Sequence, residues 1–313
     1  MNILRRGFAA LAFIASTCSA QAQLAALPPE VFEQVRAIGS HIDPVKTAAI
    51  FAPFHPKEPY PGVTIRRDIF YGPAPRNRLD VFTNDKATNA PHPVIIYVHG
   101  GAYVRGDKKL ENSPFHDNVM LASLERGFVG VNMTYRLAPA DKWPAATDDV
   151  SQAIQWVIKN IAQFGGDPSR IYLFGHSAGA THAGNYIAHT WSHGPTGIGL
   201  RAAVIVSGLF DLETYLSAPH ITAYFGEDRS KYAGISSLKG ILASPLPILL
   251  VDAEFDPPEF LQQTKQLNDA LCAIKRCPER LTLAGHSHMS EIYSINTKDR
   301  QLMDAIKTFA AKH

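Results

Sequence analysis

Charge of one sign is scarce in this chain: 30 Lys and Arg face 28 Asp and Glu over 313 residues. That balance falls far short of the basic footprint needed to read a phosphate backbone, so nucleic acid is not an expected partner. Cysteine is rarer still, with three residues and no third or fourth ligand at zinc spacing beside the one close pair, so no metal site is expected. No apolar run after the N-terminus approaches the roughly 20 residues of a bilayer span. Fixed-period repeats and low-complexity tracts are also missing. What remains, 46% hydrophobic and 19% charged, is the composition of a chain that buries a sizeable core, read here as one domain over residues 23–313.

Residues 1–22 read differently. Arg5 and Arg6 precede a short apolar run, which ends in the small residues Ala20-Gln21-Ala22, the pattern of a cleavable export signal. Cys18 as an acylated N-terminus would need a leucine and small-residue pattern before it, and Ala15-Ser16-Thr17 lacks one. Cleavage would remove two bases and no acid, bringing the charges level, and would leave an exported, periplasmic or secreted protein without a stable membrane span. In that compartment Cys272 and Cys277 are placed either to form a local disulfide or to stay as two thiols.

Strand-like runs recur at 64–70, 78–82, 94–98, 128–134, 171–174, 203–206, 248–251 and 281–283. Several are continuously apolar, as strands buried on both faces must be. Helical patterns lie between them. Val150, Ile154, Val157 and Ile161 share one helical face, as do Leu302, Ile306 and Phe309 after Thr297, a candidate N-cap. Such alternation predicts an α/β fold with a mostly parallel sheet and helices on both faces. Two segments break the pattern, a proline-rich stretch within 23–61 and an insertion at 210–246, and both are expected to contribute a small cap.

The strongest chemical signal is Gly175-His176-Ser177-Ala178-Gly179, directly after one strand and before a small-residue helix. A serine hydroxyl becomes a useful nucleophile when it projects from a strained strand-to-helix turn beside a base, and flanking glycines permit that turn. Ser177 is therefore the candidate nucleophile. His99-Gly100-Gly101-Ala102-Tyr103 follows another strand, where unencumbered backbone lets N–H groups approach an oxyanion. An acid should follow the nucleophile in the chain and a histidine should come last. Asp252, Glu254 and Asp256 compete for the first role, and His286 and His288 for the second. His176, His182 and His189 lack a carboxylate cluster and are read as surface or packing residues.

Taken together, His99-Gly100-Gly101-Ala102 with Gly106, Tyr135-Arg136-Leu137-Ala138-Pro139, Pro144-Ala145-Ala146 before Asp148-Asp149, and Gly-His-Ser-Ala-Gly resemble the α/β-hydrolase esterases related to hormone-sensitive lipase and the carboxylesterase and feruloyl-esterase-like group. The resemblance runs from about residue 64 to the C-terminus. It implies an α/β-hydrolase fold with an eight-stranded sheet and oxyanion N–H groups from Gly101, Ala102 and Ala178, with His99 anchoring the loop. It also favours Asp256, the acid before a proline, and His288, the histidine before Met289 and Ser290. The activity implied is hydrolysis of small to medium carboxylic esters through an acyl-enzyme, with no metal or organic cofactor. Arylformamidase-like, feruloyl-esterase and lipase activities stand as alternatives, and a non-catalytic binding protein of the same fold stands outside them. The departure from the pattern is Ala102, where many relatives carry a third glycine.

Overall fold

The computed structural model describes residues 28–85, 90–215 and 218–313, so the expected signal at 1–22 lies outside the described residues. Eight strands form one sheet: β1 (Val63–Phe70), β2 (Arg78–Asn84), β3 (His92–Val98), β4 (Val129–Met133), β5 (Gly166–His176), β6 (Ala202–Val206), β7 (Ile248–Phe255) and β8 (Glu279–Ser287). Their spatial order is β1-β2-β4-β3-β5-β6-β7-β8. β1 and β2 run antiparallel at one edge, and the other six are parallel. All eight expected runs are strands. The longest extension is in β5, which begins at Gly166 and ends at His176.

The helices are α1 (Pro29–Ile38), α2 (Pro44–Phe51), α3 (Asp117–Glu125), α4 (Ala145–Asn160), α5 (Ala178–Ala188), α6 (Pro219–Phe225), α7 (Tyr232–Ile235), α8 (Leu238–Ala243), α9 (Pro258–Ala273), α10 (Ser290–Tyr293) and α11 (Gln301–Lys312). None of them is long and apolar enough to cross a membrane.

Because side chains alternate across a strand, β3 feeds two cores. Val94, Ile96 and Val98 face α4 and α5, packing with Val150, Ile154, Val157 and Ile161, so the apolar stripe read from sequence is a buried face. Ile95 and Tyr97 face α3 and α11, packing with Met120, Leu302, Ile306 and Phe309. Each such side chain, removed from water, stabilises the fold by roughly 1.5–3 kcal/mol before entropy is counted. The two segments outside the alternation lie on opposite faces. Val31, Val35 and Phe51 of the N-terminal segment join the α3 and α11 core, whereas Tyr224 and Ile241 of the insertion join the α4 and α5 core.

One local expectation is corrected. Thr297 does not cap the last helix: its hydroxyl donates to Ser294 O at 2.6 Å, and the carboxylate of Asp299 accepts from Gln301 N at 3.1 Å. The turn before α11 uses the threonine, so the aspartate nearer the helix takes the free N–H. Cys272 and Cys277 are joined by a disulfide between the end of α9 and the approach to β8.

Candidate active site

Parallel strands deliver their C-terminal ends to one edge, and the turns leaving β3, β5, β6, β7 and β8 meet there. The turn after β5 carries the candidate nucleophile. Ser177 sits at φ 56° and ψ −121°, a conformation that side chains rarely adopt. Its N–H donates to Val206 O of β6 at 2.9 Å, which holds the strained turn in place. Gly179 is required by the same geometry, because a methyl there would run into the carbonyl oxygen of Val98. Within 171–180 every residue is buried except Ser177, whose side chain is part-exposed at the head of α5.

His288 reaches this hydroxyl from the end of β8. Ser177 Oγ lies 2.9 Å from His288 Nε2, and His288 Nδ1 lies 2.7 Å from Asp256 Oδ1. The carboxylate can only accept, so Nδ1 carries the proton and Nε2 is free to accept from the serine. Asp256 stands in the turn between β7 and α9, fully buried, and its Oδ2 accepts from Ala253 N at 3.0 Å and from Ser207 Oγ at 2.5 Å. Phe260 of α9 covers the imidazole with ring centroids 4.5 Å apart.

The competing residues have other partners. Asp252 accepts from Arg280 at 2.7 Å and Thr282 at 2.6 Å, inside the sheet's edge. Glu254 accepts from Gly285 N at 2.7 Å. His286 faces Ser290 at 3.1 Å and Asp299 at 3.0 Å. Each would need its present bonds broken to enter the line that Asp256 and His288 already occupy.

The loop after β3 passes close to the serine, where a methyl on Gly100 would lie 3.1 Å from Ser177 Cβ. Gly101, Ala102 and Tyr103 have φ of 141°, 50° and 66°, so three successive residues lie in the left-handed half of conformational space. Among the described residues the N–H groups of Gly101, Ala102 and Ala178 have no protein acceptor. The remaining sequence motifs brace this loop. Tyr135 Oη donates to His99 O at 2.8 Å, and Ala138 N donates to Tyr103 O at 3.0 Å. Arg136 is paired to the buried Asp149 at 2.8 Å, which locks the Tyr135 segment onto α4. Burial pushes the His99 imidazole well below its usual value, and the nearby His116 pushes it further the same way. His99 therefore stays neutral, stacked on Tyr135 at 4.4 Å.

Part of the insertion is held against the same loop. The Tyr224 and Tyr103 rings stack at 5.2 Å, Phe225 meets Tyr103 edge-on at 5.2 Å, and Trp143 N donates to Tyr224 O at 2.9 Å. Tyr103 Oη in turn donates to Thr181 Oγ1 of α5 at 3.1 Å. One aromatic stack thus ties cap, loop and nucleophile helix together.

His182 and His189 are packing residues, as expected. His182 is enclosed by the rings of Tyr103, Tyr135 and Tyr224, and burial pushes its pKa down to about 3. His176 is not a bystander: it lies behind His288, with Nε2 donating to His288 O at 2.9 Å and within 2.9 Å of Glu291 Oε1. Glu291 and Ser207 carry no spacing signal in the sequence, because they come from α10 and the end of β6 and meet only when the sheet forms. His176, His288 and Glu291 are the one group of potential metal ligands that converges among the described residues, within 4.8 Å. Asp256 already engages Nδ1 of His288, so a cation could take that atom only by breaking the Ser177–His288–Asp256 line.

Residues 79–190 match the model of the BD-FAE family. Over 114 residues the chain is 37% identical to esterase LipC of Mycobacterium tuberculosis, a match that covers 36% of this chain and 27% of that protein. The chain thus spans about a quarter of that relative's length. It is 28% identical over 209 residues to a kynurenine formamidase of Danio rerio, covering 65% of this chain and 68% of that one. Among solved structures, esterase B of Lactobacillus rhamnosis superposes with a TM-score of 0.70 at 17% identity, covering 94% of this chain and 96% of that one. Such a likeness shows a shared α/β-hydrolase fold.

Proposed function

We propose that this chain, an α/β-hydrolase similar to esterases over its central segment, hydrolyses carboxylic esters of small to medium acyl chains through an acyl-enzyme on Ser177. The observation that carries the reading is the unbroken line from Ser177 Oγ through His288 to Asp256, with bonds of 2.9 and 2.7 Å. As Ser177 attacks the acyl carbonyl carbon, His288 Nε2 takes the hydroxyl proton and Asp256 holds the resulting imidazolium. The carbonyl oxygen gains negative charge and is met by the N–H groups of Gly101, Ala102 and Ala178, which have no protein acceptor among the described residues. His288 then gives its proton to the departing alcohol, and water, activated by the same imidazole, releases the acid. No step calls for a metal or an organic cofactor.

The test is direct. Purified protein is expected to react with a fluorophosphonate at Ser177, and Ser177→Ala and His288→Ala are expected to lower ester hydrolysis by roughly 10⁴-fold or more, as in other triads. Near-normal turnover in Ser177→Ala overturns the assignment, and an unlabelled wild-type serine supports a binding protein instead. The similarity to a formamidase over 65% of this chain favours a second reading, hydrolysis of aryl formamides at the same serine. Initial rates on esters of increasing chain length, beside an aryl formamide and a feruloyl ester, separate the two. Export is part of the proposal and is supported by the disulfide, which persists in oxidising compartments. N-terminal sequencing of the protein recovered outside the cytoplasm tests it, with a start at residue 23 expected.

A further inference from the structure

Behind the Asp256–His288 pair lies a second carboxyl group that the ester-hydrolysis scheme does not use. Glu291 is fully buried on α10. Its Oε2 is 3.1 Å from Ser207 Oγ, and the same hydroxyl is 2.5 Å from Asp256 Oδ2. A serine has one hydrogen to give, and here two carboxyl groups face it. The shorter bond goes to Asp256, whose charge is also needed by His288. Ser207 Oγ must then accept from Glu291, and only a carboxyl that keeps its proton can donate. The other oxygen agrees with this count: Oε1 is buried, and His176 Nε2, 2.9 Å away, gives its hydrogen to His288 O, so Oε1 receives no hydrogen bond. That is tolerable for the carbonyl of an acid and costly for one half of an ion.

Among the described residues the surroundings supply no balancing cation. Facing Glu291 are Asp256 and Asp252 from β7 and its turn, Tyr97 from β3, His176 from β5, Ser207 from β6 and His288 from β8. Burial pushes His176 well below its usual value, and the neighbouring His288 adds to that, so it is neutral. Burial, followed by the charges of Asp256 and Asp252, raises the Glu291 carboxyl well above the ordinary range. His288 Nδ1 lies 4.0 Å from Glu291 Oε1. An ionised Glu291 at that distance would hold the imidazole in its protonated form and remove the base that Ser177 needs.

We propose that Glu291 is a positioning residue that works as a neutral acid, donating through Ser207 to Asp256, so that His288 is fixed by a chain of donors while facing one negative charge instead of two. The proposal rests on the reading of Ser177, His288 and Asp256 as the reacting set, and its first test does not.

Infrared difference spectra of the full-length protein at neutral pH should contain the carbonyl stretch of an un-ionised carboxylic acid that disappears in Glu291→Gln; its absence overturns the proposal. In Ser207→Ala that band should move to higher wavenumber as the acid loses its acceptor, and a band that stays put overturns the link through Ser207. The second readout is the rate of fluorophosphonate labelling of Ser177 against pH. Whatever its absolute rate, Glu291→Gln should keep the midpoint of the acid limb within a few tenths of a unit. Loss of an ionised neighbour would instead lower that midpoint by about one unit or more, which also overturns the proposal. If Glu291→Gln does not fold, the wild-type and Ser207→Ala spectra still decide the matter. Should Ser177 fail to label while the acid band is present, the hydrolase reading falls and the protonated Glu291 stands.

Discussion

At the scale of single residues, the site depends on conformations that few side chains accept. Ala102, at φ 50°, stands where many relatives of the resembled group carry glycine. The group it offers is a main-chain N–H, so a methyl side chain does not remove it, but the left-handed backbone costs on the order of 1 kcal/mol for any residue with a Cβ. Ala102→Gly is therefore expected to leave thermal stability level or slightly higher and to admit bulkier acyl groups, read from relative kcat/KM across an ester series. Ala102→Val places a β-branched residue at positive φ, and should cost about 1–3 kcal/mol in denaturant unfolding and slow every ester alike. An unchanged acyl preference in the glycine variant would show that the Ala102 methyl does not border the acyl group.

At the scale of elements, each catalytic candidate is held by the end of a strand and secured by the segment that follows it. The turn into α11 shows how such a segment responds to pH. Burial alone would raise the Asp299 carboxyl, yet His286 facing it, with donors from Gln301 and Ser294, brings it down to about 2. A depressed carboxylate stabilises the fold above its unfolded value of about 3.9 and loses that contribution as pH falls through the folded value. The shift corresponds to roughly 2 kcal/mol at neutral pH. Asp299→Asn should accordingly be less stable than wild type by about that amount at pH 7, with the gap closing between pH 4 and pH 2 in denaturant titrations. A gap that stays constant with pH would mean that the cap, not the charge, is what the variant loses.

At the scale of the whole molecule, the candidate site and the covalent bracing lie at opposite ends of the sheet. Ser177, Asp256 and His288 gather where the parallel strands end, while the Cys272–Cys277 bond closes a short loop just before β8 begins. Loop-closure entropy for so few residues amounts to about 2 kcal/mol. Replacing both cysteines by serine is expected to lower the unfolding free energy by no more than that and to leave kcat/KM for a simple ester unchanged; a large activity loss would show that β8 transmits strain to His288. The sequence by itself determined a great deal here. Continuous apolar runs marked the strands, glycines around Ser177 and after His99 marked the two turns, and chain order confined the acid and the base to two short loops. These signals are local, because backbone freedom and side-chain period are properties of neighbouring residues. Tertiary structure alone decided which of Asp252, Glu254 and Asp256 faces His288, that the insertion stacks on Tyr103, and that Glu291, Ser207 and His176 stand behind the imidazole. Those relations join residues from different strands, and their hydrogen-bond partners and burial exist only once the sheet has brought the strand ends together.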